Sequence, residues 1–178
     1  MSLIAKGKSF TPPPEGVWPA VCVDVVDLGI VASQFGDKHK CKLVWELSES
    51  MDDQRPFLAM KQYTVSLHEK SSLHKDLKSW RGKPFTADEL NGFNVELVIG
   101  APCQLVITHE EKDGITYGNV TAILRANKKT ALKPSGDYVR HKDRPENQKT
   151  GNGKPTQSEA ETEDDGDPSY ETGDKIPF

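Results

Sequence analysis

Between two groups of strand-like runs, the chain reads Ser71-Ser72-Leu73-His74-Lys75-Asp76-Leu77-Lys78-Ser79-Trp80. Leu73, Leu77 and Trp80 recur at the spacing of one helical face, and serine is a residue type that caps helix N-termini. The segment therefore predicts a helix from Ser71 to about Trp80. The glycine and proline of residues 81–84 end it, because both residue types interrupt helices.

Two shorter helical signals follow the first helix. Thr86-Ala87-Asp88-Glu89 is a capping-box pattern and predicts the start of a second short helix. Residues 94–100 are either a third short helix or an apolar turn, since periodicity does not distinguish the two in so short a run.

Strand patterns precede and follow these helices. Residues 17–29 are rich in β-branched side chains, residues 38–49 alternate with period two, and residues 57–67 form a third run. After the helices, residues 103–109 and 116–126 alternate on either side of Lys112-Asp113-Gly114. Asp-Gly between two alternating runs is a strong signal for a β-hairpin.

The element order is three strands, a helical insert and a two-stranded hairpin. This is the order of an OB-fold, a five-stranded Greek-key barrel with a helix between strands 3 and 4. SH3-like barrels and small sandwiches also fit the strand count, but the position of the helix favours the OB-fold. The sequence thus predicts a mainly β protein with this barrel and a disordered C-terminal tail.

Composition divides the 178 residues further. Basic and acidic residues balance over residues 1–130, whereas residues 155–178 carry one basic residue and eight acidic ones. Residues 128–178 offer little to bury, which is typical of disorder. The predicted organisation is an extended N-terminal arm over 1–16, an OB-fold domain over 17–127, a basic flexible linker over 128–154 and a disordered acidic tail over 155–178.

Several function classes lack their sequence signals. We find no Gly-rich phosphate loop, no zinc-ligand spacing and no nucleophile motif, so we expect no enzyme, no metal and no cofactor. The cysteines, Cys22, Cys41 and Cys103, lie far apart in apolar runs and predict buried free thiols of a reducing compartment. With no apolar run of membrane-spanning length, we expect a soluble cytoplasmic protein.

Binding of unpaired nucleic acid needs cations for the phosphates and flat rings for the bases. Candidate residues of these types fall on the predicted second and third strands and on the hairpin, where an OB-fold binds its ligands. They are Lys38, Lys40, Lys42, Trp45, Lys61, Tyr63, Lys112, Tyr117 and Arg125. Trp45 alternates in phase with Cys41 and Leu43, which also fits a core position, and Tyr63 and Tyr117 are open to both interpretations. Residues Arg140, Lys142, Arg144 and Lys149 could add weak phosphate contacts.

The chain ends on an acidic run that closes with Asp174-Lys175-Ile176-Pro177-Phe178. This ending resembles the C-terminal peptide of bacterial and phage single-stranded DNA-binding proteins, in which acidic residues precede Asp-Ile-Pro-Phe. Lys175 differs, because the family usually has an acid there. In the body, residues 61–71 and 80–86 also look like a phage or prophage family related to these proteins. The helical insert of residues 71–102 is longer than in housekeeping bacterial relatives.

The resemblance implies a protein that coats single-stranded DNA with little sequence preference in a bacterial cell. It also implies recruitment of replication, recombination and repair proteins through the tail. Ile176, Pro177 and Phe178 would anchor a partner, and the acidic side chains would steer it, namely Asp164, Asp165, Asp167, Glu171 and Asp174. Two alternatives stay open: a protein-interaction adaptor of the replication machinery, and an RNA-binding OB-fold protein.

Overall fold

The computed structural model describes residues 11–145 and residue 147, and this part of the chain is mainly β. Its strands are β1 Gly16–Val31, β2 Lys38–Ser50, β3 Pro56–Thr64, β4 Pro102–Lys112 and β5 Ile115–Arg125. The helices are α1 Ser72–Arg81 and α2 Ala87–Asn91, with 3-10 turns at Val95–Val98 and His141–Asp143. The prediction of a mainly β chain with a helical insert between the third and fourth strands is confirmed.

The five described strands form one antiparallel open sheet in the order β3-β2-β1-β4-β5. β1 is shared, because its residues 16–21 pair with β4 and its residues 20–31 pair with β2. Register shifts at Cys22/Asp24 and Asp27/Gly29 interrupt the β1–β2 ladder, and such bulges bend a strand. The two edge strands, β3 and β5, contact each other, so the sheet curls around a core.

Apolar side chains from the inner face of the sheet and from α1 fill this core. Trp45 of β2 and Trp80 of α1 are fully buried, with ring centroids 6.1 Å apart. Leu73 and Leu77 are buried on the same helical face as Trp80, as their spacing predicts. The Ser71 side chain accepts a hydrogen bond from the His74 amide, which confirms the predicted cap. The helix therefore covers the inner face of the sheet next to β3 and β5.

The turn between β4 and β5 also follows its sequence signal. Asp113 and Gly114 both adopt positive φ, 54° and 74°. A two-residue hairpin turn of type I′ needs positive φ at both central residues, which explains why Asp-Gly occupies it.

A buried arginine joins α1 to the helical insert. The Arg81 guanidinium lies 4.7 Å from the Phe85 ring centroid, and its Nη2 donates to Glu89 Oε1 at 2.7 Å. The Thr86 amide donates to the second oxygen of Glu89, and the Glu89 amide donates to Thr86, so the predicted capping box is present. Glu89 thus neutralises a buried cation and caps α2 at the same time.

Acid should weaken this arrangement. Hydrogen bonds from the Arg81 side chain and the Thr86 amide lower the pKa of Glu89 from 4.5 to about 2. The stability that ionised Glu89 contributes is present above pH 4.5 and is lost as the pH falls toward 2. We expect the E89Q variant to unfold at a lower urea midpoint than wild type at pH 7, with the difference shrinking between pH 4.5 and 2. A difference in midpoint that does not change with pH would contradict the assignment.

The described part of the N-terminal arm packs across the β4–β5 hairpin. Trp18 Nε1 donates to the Pro14 carbonyl at 2.9 Å, and His109 Nε2 lies 2.8 Å from the Pro13 carbonyl oxygen. A Cβ on Gly118 would lie only 2.7 Å from Pro13 Cγ. The polyproline segment therefore passes directly over a glycine of β5, where no side chain fits.

A side chain at position 118 should displace this arm. We expect G118A to lower the free energy of unfolding by about 1–3 kcal/mol, the typical cost of overpacking. Gly92 is the matched control, because a Cβ there meets no atom within 4 Å and its φ is extended. Urea denaturation of G118A and G92A measures the difference. Equal stability of the two variants would show that the arm is not held against Gly118.

Residues 132–144 lie on the outer face of the sheet, and we call them the strap. Leu132 and Tyr138 pack on an outer apolar cluster of Val21, Val23, Val26 and Val44. Asp24, which is 1% exposed, accepts hydrogen bonds from the His141 amide at 2.7 Å, Arg140 Nε at 3.1 Å and the Tyr138 hydroxyl at 3.3 Å.

Glu46 adds a second attachment for the strap. It is 4% exposed and accepts hydrogen bonds from the amide and the hydroxyl of Ser135 at 2.9 and 2.8 Å. The prediction of a flexible linker from residue 128 is therefore corrected for residues 132–144, which pack on the sheet. Their few apolar side chains and their polar groups find partners on β1 and β2, whereas residues 148–154 lie outside the described part.

The three cysteines are free and buried, as predicted. Burial raises the pKa of Cys22 to about 12 and that of Cys41 to about 11, so both thiols stay protonated at neutral pH. In residues 11–145, helices of the length and apolar character needed to cross a membrane do not occur.

Candidate nucleic-acid interface

β2 separates the candidate residues into two faces. Cys41, Leu43, Trp45 and Leu47 point into the core, whereas Lys40 and Lys42 alternate with them on the outer face. This alternation was predicted, and it decides which candidates can reach a ligand.

Two of the predicted base-stacking rings are core residues. Trp45 is 0% exposed, and Tyr63 is 2% exposed. The Tyr63 hydroxyl donates to Asp76 Oδ2 of α1 at 2.7 Å, and its burial, together with Asp76, raises its pKa far above the usual range. Both rings are enclosed by protein, so the prediction that they stack on bases is wrong for this fold. The physical reason is the period-two alternation of each strand. Both rings fall on the same side as the buried side chains of their own strand, and this side faces the core.

The open part of the outer face is polar and cationic. Lys40 pairs in register with Thr64 of β3, and Lys42 pairs with Gln62. Met60, 48% exposed, continues the same row on β3. Ammonium groups beside amide and hydroxyl side chains offer charge and hydrogen bonds to phosphates without reading a base edge.

The loop between β1 and β2 carries an aromatic side chain that the strand-based search did not select. Phe35 is 80% exposed, and the Lys38 ammonium lies 5.9 Å from its ring centroid. The loop is held by a turn in which Ser33 Oγ donates to the Gly36 carbonyl at 2.6 Å. The signal was present in Gln34-Phe35-Gly36, because an aromatic residue in a polar turn has no local core to enter.

An exposed pair at the base of this loop fixes the neighbouring backbone. His39 Nε2 lies 2.6 Å from Asp27 Oδ1, and the Gly29 amide also donates to Asp27 at 2.8 Å. The Gly29 amide, followed by the His39 side chain, lowers the pKa of Asp27. Asp27 is therefore an anion at neutral pH and reduces the positive potential beside Lys38 and Lys40.

The remaining candidates are dispersed. Lys61 Nζ donates to Asp76 Oδ2 at 2.7 Å, so its charge is neutralised within the fold. Lys112 and the exposed Tyr117 lie at the hairpin tip in a shallow depression that Glu110 and Asp113 also line. Arg125 is exposed at the end of β5, next to the C-terminus of α1.

The strap borders the open part of the outer face. A cleft lies between the strap and β3, lined by Glu46, Met51, Arg55, Pro56, Leu58, Asp137, Tyr138, Val139 and Arg144. Arg144 stacks over the Tyr138 ring at 5.5 Å, and Arg140 is used by Asp24 and Glu96. Arg140, one of the linker cations predicted to contact phosphate, thus pairs with two carboxylates of the fold instead.

The predicted partner-binding residues of the tail, Asp174, Ile176, Pro177 and Phe178, lie outside the described residues, as do Lys149 and residues 1–10. Within the described part, groups of His, Cys, Asp and Glu side chains that could hold a metal ion do not occur.

Comparison with protein-family models and with curated proteins gave no match for this chain.

Proposed function

We propose that this protein is a non-catalytic single-stranded DNA-binding protein of the phage type, built on an OB-fold. The observation that carries the proposal is the outer face of β2 with the loop before it. There, exposed Phe35 stands beside Lys38, and Lys40 and Lys42 follow on the strand.

The topology supports the OB-fold assignment. The strand order β3-β2-β1-β4-β5, the contact between β3 and β5 and the helix between β3 and β4 are compatible with a partly open Greek-key barrel. In such a barrel the second and third strands, with the 1–2 and 4–5 loops, bind oligonucleotides. Phe35, Lys40 and Lys42 lie on these elements, and Tyr117 lies beside the 4–5 loop.

The chemistry suits a strand of any sequence. A phenylalanine ring stacks on any base, and each stacked base is worth about 1–3 kcal/mol. Lysine ammonium groups contact phosphates as point charges and do not select a base. The proposed protein therefore coats unpaired DNA during replication, recombination or repair.

Titration of fluorescently labelled oligo-dT by the full-length protein, followed by anisotropy over a salt series, tests the proposal. We expect the logarithm of the affinity to fall linearly with the logarithm of salt, by about 0.7 for each phosphate contact. No binding at low salt would reject the function. Competition with an RNA oligomer of equal length would separate the RNA-binding alternative.

The adaptor alternative draws on one observation, the balance of basic and acidic residues over residues 1–130. A neutral body gives no general attraction to DNA, so the barrel could bind another replication protein. The K40Q/K42Q double variant separates the two functions. DNA coating predicts a loss of oligo-dT affinity in this variant, whereas the adaptor predicts that partner binding and oligo-dT titration are both unchanged.

The acidic tail is proposed to serve partners and to compete with DNA. Its terminal Phe178 and carboxylate would bind replication, recombination and repair proteins. Its acidic side chains would also bind transiently to the cationic outer face. We expect deletion of residues 159–178 to raise oligo-dT affinity at low salt, because a polyanion that competes with phosphate is removed. Unchanged affinity in the same titration would reject the competition and leave recruitment open.

A further inference from the structure

The outward face of α1 carries a second group of cations. Lys75, Lys78, Ser79 and Gly82 follow the spacing i, i+3, i+4 and i+7, which places them on one side of the helix. Together with Lys83 and Pro84 they line an open pocket, and among the described residues no carboxylate lines it. The opposite side, with Leu73, Leu77 and Trp80, is the core side.

Arg125 of β5 adds a fourth cation beside Gly82, at the border of this pocket. Its Cδ lies 3.1 Å, and its Nη1 3.6 Å, from the position that a Cβ would take on Gly82. Gly82 ends the helix with φ of 66°, so a glycine there allows both the turn and the close approach of the arginine. Arg125 was predicted from the sequence as a phosphate contact on the hairpin, and the structure places it here.

The acids of this region are used elsewhere. Asp76, between the two helical lysines in sequence, accepts hydrogen bonds from Lys61 and Tyr63 at 2.7 Å each. Glu89 accepts from the buried Arg81. In the described part of the chain, the observed ion pairs do not include Lys75, Lys78 or Lys83.

Helix stability does not account for the arrangement. Cations near a helix C-terminus interact favourably with the helix dipole, which suits Lys78 and Lys83. Lys75, however, is the fourth residue of α1, close to the positive end. Lys75 and Lys78 are also three residues apart, a spacing at which like charges repel. The helix dipole therefore accounts for Lys78 and Lys83 but not for Lys75.

We infer that the α1 pocket is a second phosphate-binding site for single-stranded DNA, separate from the outer face of β2. The inference rests on the proposed function and adds a path for the strand. DNA that leaves the β2 face continues past the helix, where Lys75, Lys78, Lys83 and Arg125 contact its phosphates. The site takes backbone only, since the described residues that line the pocket include no aromatic ring.

The test compares two triple variants that remove equal charge. K75Q/K78Q/K83Q removes the pocket lysines, and K70Q/K128Q/K129Q removes three exposed lysines that lie outside both the pocket and the strap. Both are titrated with labelled oligo-dT of graded length over a salt series. For long oligomers we expect the pocket variant to show a salt slope less steep by about 2, from three lost contacts, while the control keeps the wild-type slope. Oligomers too short to leave the β2 face should bind the pocket variant and wild type equally.

The outcomes separate the two proposals. If wild type binds oligo-dT and the pocket variant keeps its slope and length dependence, the second site is rejected and the proposed function stands. The second site is also rejected if the control loses as much slope as the pocket variant, because net charge then explains the effect. If wild type does not bind, the proposed function fails, and the second site fails with it.

Discussion

Replacing Asp24 by asparagine is expected to lower the free energy of unfolding by about 3 kcal/mol, the cost of removing one partner from a buried ion pair. Asp24 is 1% exposed and accepts hydrogen bonds from a backbone amide, a guanidinium and a hydroxyl of the strap. Asparagine keeps the shape of aspartate but loses the charge. Its NH₂ group is a hydrogen-bond donor, and it would face the donors of Tyr138, Arg140 and His141. The strap should then dock more weakly on the valine cluster.

Two measurements check this result. Urea denaturation gives the change in stability, and hydrogen exchange of the His141 amide reports the strap itself, because this amide donates directly to Asp24. A change of about 3 kcal/mol corresponds to exchange faster by about a hundredfold. The matched control is D53N, which removes an exposed aspartate paired with Arg55 and should leave the urea midpoint nearly unchanged, because solvent screens this pair. If D24N unfolds at the same urea concentration as D53N, the Asp24 carboxylate does not hold the strap.

Replacing Phe35 by alanine is expected to weaken oligo-dT binding by about 30-fold, which corresponds to ~2 kcal/mol for one stacked base. Phe35 is 80% exposed and contributes nothing to either apolar cluster, so the fold should not change. The loss would therefore report the ligand contact alone. Anisotropy titration at fixed salt measures it, and thermal unfolding confirms that the variant is folded.

Two further substitutions separate stacking from simple burial. F35L keeps an apolar side chain without a flat ring and should lose nearly as much affinity as F35A. F35W keeps a ring and should bind at least as tightly as wild type. If F35A binds with wild-type affinity, the 1–2 loop does not stack on bases, and the outer face alone must account for any binding.

The local elements of the fold were predictable because their signals are local. Ser71 and Thr86 cap the helices that their patterns indicate, and Asp113-Gly114 forms the turn that the dipeptide requires. The faces of β2 were also predictable, because period two fixes which side chains point the same way. The same alternation allowed a core position for Trp45, and the contact with Trp80 of α1 shows that its ring is enclosed.

The strap and the α1 pocket were not predictable for a different reason. Asp24 and Glu46 read as ordinary polar residues of half-exposed strands, and their partners lie about 90 to 117 residues further along the chain. No local pattern records such a pairing. Similarly, Arg125 and Gly82 are 43 positions apart, and only the packing of β5 on α1 brings them together.

Docking of the strap also determines the place on the protein surface from which the residues after 145 leave the fold. With Asp24 holding His141, residue 145 follows directly from the β1–β2 surface and not from the end of β5 at Arg125. Any segment that follows residue 145 is therefore tethered to the β1–β2 surface at residue 145. Its tether is about twenty residues shorter than if the chain left the fold at Arg125. Because effective concentration falls with roughly the −3/2 power of linker length, this shorter connection raises intramolecular encounter with that surface.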